Sequence, residues 1–151
     1  MEHFCTRNKV IIRLDKGDEI FTSLSELFTK MFEGGPFFGT VEGIGGCDQV
    51  EVGIFDPERK SYVVHKREGM LELVSLNGNL TEKDGKPFFH LHAVFAYHDE
   101  DGNPQTLSGH LLKARIGLTA EIVVTAIDTG VSRCYDEELG IRTWDFRDHK
   151  S

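Results

Sequence analysis

Phe88-Phe89-His90-Leu91-His92-Ala93-Val94-Phe95-Ala96-Tyr97 is rich in aromatic and β-branched residues, which favours a β-strand. It runs into the polar cluster His98-Asp99-Glu100-Asp101-Gly102-Asn103-Pro104, after which an apolar run resumes at Leu107 and continues through Leu111, Leu112, Ala114 and Ile116. Strand, turn cluster and strand predict an antiparallel hairpin. Alternate side chains of a strand share a face, so His90 and His92 point the same way. With the turn centred near Asp101 or Gly102, His110 falls opposite or diagonal to His92, with Cβ atoms about 4.5 to 8 Å apart.

Three imidazoles on one patch suit a metal. Zinc takes ligand nitrogens at about 2.0 to 2.1 Å, and a His-x-His pair with one cross-strand His delivers three, leaving a fourth position open as in catalytic sites. The competing reading of His-x-His is two hydrogen-bonded surface imidazoles; His110 at a compatible register is what favours metal. His98 shares the parity of His90 and His92 but lies about 20 Å along an extended strand from His92, and is expected in the turn.

Upstream, Thr81-Glu82-Lys83-Asp84-Gly85-Lys86 is expected to turn the chain into this hairpin, and residues 69–79 before it form a strand. Strand parity places Glu72 with Met70, Val74 and Leu76. A carboxylate among such neighbours needs a partner, which a nearby metal or a ligand His N–H would supply. An edge-exposed Glu72 is the other reading.

Towards the N-terminus, residues 9–14 read as a strand ended by Asp15-Lys16-Gly17. A helix follows, with Asp18 as N-cap and Ile20, Leu24, Leu27, Phe28 and Met31 forming one apolar stripe. Gly34-Gly35-Pro36 is expected to stop it. Residues 37–41 and 50–55 read as separate strands, interrupted by Gly43-Ile44-Gly45-Gly46. Those glycines lead into a strand and not a helix N-terminus, so a tight turn or a close backbone approach is favoured over phosphate binding. Asp56-Pro57-Glu58-Arg59-Lys60 is a turn that closes a hairpin with residues 61–65. Residues 119–127 form a further buried strand and residues 141–146 a last short one. One main helix with a large, mostly antiparallel sheet gives an α+β fold.

The 151 residues fit a single domain, residues 1–151, and 39% hydrophobic with 28% charged residues marks an ordinary globular composition. No apolar run approaches a membrane span and the first residues lack the apolar core of a signal peptide, so a cytoplasmic protein is expected. Cys5, Cys47 and Cys134 suggest neither a disulfide framework nor a thiolate zinc knuckle; they read as reduced, buried thiols. A net charge of −8 argues against non-specific nucleic-acid binding. The short basic cluster of Arg59, Lys60, Lys66 and Arg67 is interleaved with Asp56, Glu58 and Glu68, as on a solvated face.

Gly43-Ile44-Gly45, Glu72-Leu73-Val74-Ser75-Leu76-Asn77-Gly78-Asn79, Asp84-Gly85-Lys86-Pro87, His90-Leu91-His92-Ala93 and Gly109-His110-Leu111-Leu112 occur in the order typical of the plants-and-prokaryotes-conserved (PPC) domain, which the chain resembles from about residue 9 to 144. The resemblance implies a stand-alone prokaryotic member, an α+β fold, a homotrimer, and one zinc per chain held by His90, His92 and His110. It implies no reaction. The DNA-reading AT-hook of plant members is missing, and their Gly-Arg-Phe-Glu-Ile-Leu partner-contact run corresponds to residues 69–74, where Glu72 is kept but Met70 replaces the Arg. The His arrangement is also similar to the zinc site of acetolactate decarboxylases.

Two functions follow as expectations. In one, zinc on His90, His92 and His110 supports a small-molecule site or a lyase- or hydrolase-type activity, with Glu72 as proton acceptor or hydrogen-bond partner of a ligand. In the other, the metal is structural in a regulatory trimer that is DNA-associated or partner-binding.

Overall fold

The computed structural model describes residues 1–31 and 38–147. Its elements are β1 (Glu2–Cys5), β2 (Lys9–Asp15), α1 (Ile20–Met31), β3 (Gly39–Asp56), β4 (Ser61–Lys83), β5 (Lys86–His98), β6 (Pro104–Ala126), β7 (Ser132–Asp136) and β8 (Ile141–Asp145). Every pairing between these strands is antiparallel. The main sheet has the order β1-β2-β6-β3-β4-β5, with β5 pairing back onto β6. Strands β3, β4, β5 and β6 therefore close into a ring, which removes most of the open edge. The α+β expectation holds.

Closure depends on the length of β6. Its first third pairs with β5 (His98↔Pro104 to His92↔His110). The remainder pairs with β3 on one edge and with β2 on the other. Period-two burial sends Phe89, Leu91, Ala93 and Phe95 of β5 into the core, which also takes Leu111, Ala114 and Ile116 of β6. The apolar stripe of α1, Ile20, Leu24, Leu27 and Phe28, closes it, with Phe28 edge-on to Phe89 at 5.5 Å. With the inward face of β5 committed to this core, His90 and His92 are left on the opposite face.

Several expectations are corrected. The N-cap of α1 is Glu19 and not Asp18: Glu19 Oε2 accepts from the Thr22 N–H at 2.9 Å, while Asp18 Oδ2 accepts from the Asp15 N–H. The expected stop at Gly34-Gly35-Pro36, and Phe37, lie outside the described residues. Of the two expected strands 37–41 and 50–55, residues 39–41 and 50–55 belong to the single strand β3, which is bulged between Gly43 and Gly45 and between Cys47 and Gln49. Close approach is the reason for the glycine at 45: a Cβ on Gly45 would meet the Thr119 carbonyl oxygen at 2.5 Å. Residues 61–65 and 69–79 are likewise one strand, β4, which runs on to Lys83, and residues 119–127 are largely the continuation of the hairpin strand in β6. Strand β1 was not foreseen, and the last short strand pairs only with β7, in a separate two-stranded sheet. Of the thiols, Cys47 is buried, Cys134 half-buried and Cys5 exposed.

Candidate metal centre

Asp99 sets the register that makes the site. Its Oδ1 accepts from the backbone N–H groups of Asp101 at 3.1 Å and Asn103 at 2.8 Å, and Gly102 supplies the left-handed φ of 82° the turn requires. Counting back from that turn, His92 pairs directly with His110. His90, two residues earlier on β5, shares their face.

The three imidazoles converge. Candidate ligand atoms of His90, His92 and His110 all lie within 4.8 Å of one another, with ring centroids 4.9 to 5.2 Å apart. His90 Nε2 and His92 Nε2 are 3.3 Å apart. His98 is exposed and does not join them. His110 is held by Tyr62 of β4, whose ring stacks on it at 4.7 Å and 20°. Tyr62 can sit there because position 53 is glycine: a Cβ would meet its ring at 2.8 Å.

Burial matches the chemistry a metal requires. It pulls the His90 imidazole down to about 4, helped by the Arg133 charge and then by His110 and His92; His110 is lowered by burial, then by His92 and Arg133. Both rings are thus neutral at pH 7, the form that donates a lone pair to a metal. His110 Nδ1 is buried with no hydrogen-bond partner among the described residues, an orphan that binding of a metal or ligand would satisfy. This donor set fits zinc.

A pH dependence follows. His90 binds a proton at the usual 6.5 when unfolded but only near 4 when folded, so below pH 6.5 the unfolded state holds more protons. Denaturation of the metal-free protein followed against pH should give full stability above about 6.5 and a loss as pH falls towards about 4. His90→Gln should flatten that loss.

Glu72 is not brought to the triad within one chain. It is exposed and pairs with Ala96, four positions beyond His92, about 13 Å along the strand. The expected parity with Leu76 also fails. A bulge between Leu73 and Ser75 rotates the strand, so Leu76 is buried while Met70 and Val74 are exposed with Glu72. Arg133, which the sequence reading missed, is at the site: its Nη2 lies 3.2 Å from His90 Nδ1 and donates to Asn79 Oδ1 at 2.8 Å. It arrives from β7, 43 residues after His90, with no local pattern to point to it.

A pocket of about 270 Å³ opens beside His92, lined also by Ser75, Asn77, Val94 and Ser108. Ser75 and Asn77 also line a larger groove of about 740 Å³ formed with β1, β2, β3 and β6. The larger groove contains none of the three His, and the smaller pocket touches His92 alone of the three.

The family model of the Plants and Prokaryotes Conserved (PCC) domain matches residues 2–128. Among solved structures, a candidate DNA-binding protein from Bacteroides thetaiotaomicron is 27% identical with a TM-score of 0.84, covering 96% of each chain. A metal-containing protein from Archaeoglobus fulgidus is 27% identical with a TM-score of 0.78, covering 95% of this chain and 99% of its own. Acetolactate decarboxylase from Bacillus subtilis is 16% identical with a TM-score of 0.53, covering 78% of this chain and 51% of its own, a likeness of fold alone. No functionally curated protein matches the chain.

Proposed function

Because the chain belongs to the Plants and Prokaryotes Conserved (PCC) domain family, we propose that it is a cytoplasmic, homotrimeric metal protein in which His90, His92 and His110 hold zinc and leave a coordination position open to a small molecule. The observation that carries this reading is the convergence of three imidazoles beside a pocket of about 270 Å³. Three protein ligands are the number of an open site. The likeness to a metal-containing protein at 27% identity supports it. The ion would supply Lewis acidity towards a carbonyl or water. The chain's own part is to hold the three rings, through the Asp99 turn and the Tyr62 stack, and to keep them neutral by burial. A reaction, if the site has one, would be of the lyase or hydrolase type, with its proton acceptor outside this triad. Glu72 could serve only from another copy of the chain.

Self-association is supported by the outer face, where Phe4 is 62%, Ile44 56% and Val74 50% exposed around the larger groove. Contiguous apolar surface of this kind is what an oligomer covers. Among the described residues, no helix is long and apolar enough to cross a membrane.

The test is loading with Mn²⁺ as a spectroscopic substitute. An open site gives solvent-proton relaxation enhancement and a species of three times 17.0 kDa by sedimentation. Unchanged folding and assembly after chelation would favour the open site, whereas unfolding on chelation would make the metal structural.

The DNA-associated reading is favoured by the description of the Bacteroides thetaiotaomicron protein and opposed by the charge of −8. The cluster of basic residues is also engaged: Arg59 pairs with Asp56, Lys66 with Glu51, and Arg67 lies over the Tyr97 ring at 3.8 Å. Anisotropy titration of duplex DNA at physiological salt should therefore show no complex tighter than about 1 μM. A tighter, salt-sensitive complex would restore the DNA-associated reading.

A further inference from the structure

The guanidinium of Arg133 is half-buried, yet among the described residues no carboxylate lies within ion-pairing distance of it. All its polar partners are neutral: Nε donates to Thr81 Oγ1 at 2.9 Å, Nη1 to the Arg142 carbonyl at 3.1 Å, and Nη2 to Asn79 Oδ1 at 2.8 Å, with His90 Nδ1 at 3.2 Å. The Phe88 ring lies beneath it at 5.2 Å. Of five N–H donors, one on Nη1 has no partner among the described residues, and the Nη2 N–H facing His90 Nδ1 has an acceptor only while that nitrogen is unprotonated, a state given up when His90 turns its Nε2 lone pair to a metal. Hydrogen bonds to Thr81, Asn79 and Arg142 place the group, but none neutralises it.

A positive charge so placed is costly unless an anion answers it. The three imidazoles are neutral ligands and bring no negative charge, so a divalent ion held by them would sit beside a cation with no protein carboxylate in the cluster. His₂Glu and Cys₂His zinc sites carry ligand charge, whereas a His₃ set carries none, and here an arginine stands beside it. The missing negative charge has to come from outside the chain.

We propose that Arg133 makes the His90, His92 and His110 cluster selective for a small carboxylate, which binds together with the metal. The proposal rests on metal binding by the three His and adds the ligand class. A planar carboxylate can give one oxygen to a metal and the other to a guanidinium N–H, a division a neutral molecule cannot make with equal strength. Arg133 lies beyond residues 2–128, so this selectivity is not carried by the part of the chain the family model describes.

Metal and carboxylate should then promote each other's binding, by reciprocity. The experiment measures zinc affinity by competition with a chromophoric chelator at fixed ionic strength, with no addition, with acetate, or with the neutral isostere acetamide. In the natural protein acetate should tighten zinc binding by about tenfold, within the usual span of coupling between two sites, and acetamide should not. Arg133→Gln should reduce the acetate effect to less than about twofold while still binding zinc. Arg133→Met, which removes the charge but keeps an unbranched stem, should lose the acetate effect in the same way and replaces the Gln variant should that not fold; an undiminished effect in it counts equally against the assignment. Equal acetate effects in the natural protein and a folded Arg133→Gln variant, or none in a natural protein that binds zinc, would overturn the carboxylate assignment alone. A natural protein that binds no zinc would overturn the metal reading as well.

Discussion

Replacing His92 with Ala should lower metal affinity by more than about a hundredfold, beyond the 10- to 100-fold typical of losing a residue that merely supports a ligand. His92 is the hinge of the triad: it pairs across the strand with His110 and faces His90 Nε2 at 3.3 Å. Removing it leaves two imidazoles, too few to hold zinc firmly against water. His90→Ala and His110→Ala should act alike. His98→Ala should change nothing at the site, since His98 is exposed and contributes only its carbonyl to Arg67. Metal content after equilibrium dialysis reads all four variants. Full occupancy in His92→Ala would remove the triad from the account.

The second large effect concerns Gly78. It pairs with Leu91 between the two ligand-bearing positions of β5, and a Cβ there would meet the His90 carbonyl oxygen at 2.0 Å and the Leu91 Cα at 2.9 Å. Backbone cannot yield as a side chain tip can, so β4 and β5 must separate. Gly78→Ala should cost at least about 3 kcal/mol, the upper end of overpacking penalties. For a chain of this length that is roughly 6 to 12 °C in Tm. Because the displaced backbone carries His90 and His92, metal affinity should fall with stability. Chemical denaturation and metal titration of the same variant test both parts. A variant within about 0.5 kcal/mol of the natural protein, as for an unremarkable surface change, would mean that close strand contact is not what positions the rings.

How far the sequence could be read follows from where local chemistry decides and where packing does. The hairpin register was legible because Asp99, Gly102 and Asn103 fix the turn by short-range hydrogen bonding and φ preference, and register then follows by counting. The helix was legible from the stripe of Ile20, Leu24, Leu27 and Phe28. Strand continuity was not: glycines at 43, 45 and 46 mimic a turn, whereas those at 43 and 45 are needed because the backbone of β6 passes too close for a side chain. The same limit moved Glu72. A bulge between Leu73 and Ser75 changes parity without any residue that announces it, so a carboxylate assigned to the metal's neighbourhood lies instead opposite Ala96. Glu19 took the capping role because its longer side chain reaches both the Thr22 N–H at 2.9 Å and the Ala114 N–H at 3.3 Å. Arg133 and Tyr62 reach the site only through tertiary packing, and neither carries a mark in its own stretch of chain.

The central claim is that His90, His92 and His110 form one metal site with an open position. Anomalous diffraction from crystals of protein purified without a metal-affinity tag and supplied with zinc tests it most directly. The account predicts a single strong peak per chain, about 2.0 to 2.1 Å from a nitrogen of each of the three rings, with the remaining coordination filled by non-protein atoms. A peak elsewhere, no peak, or a fourth ligand from the chain itself would contradict it.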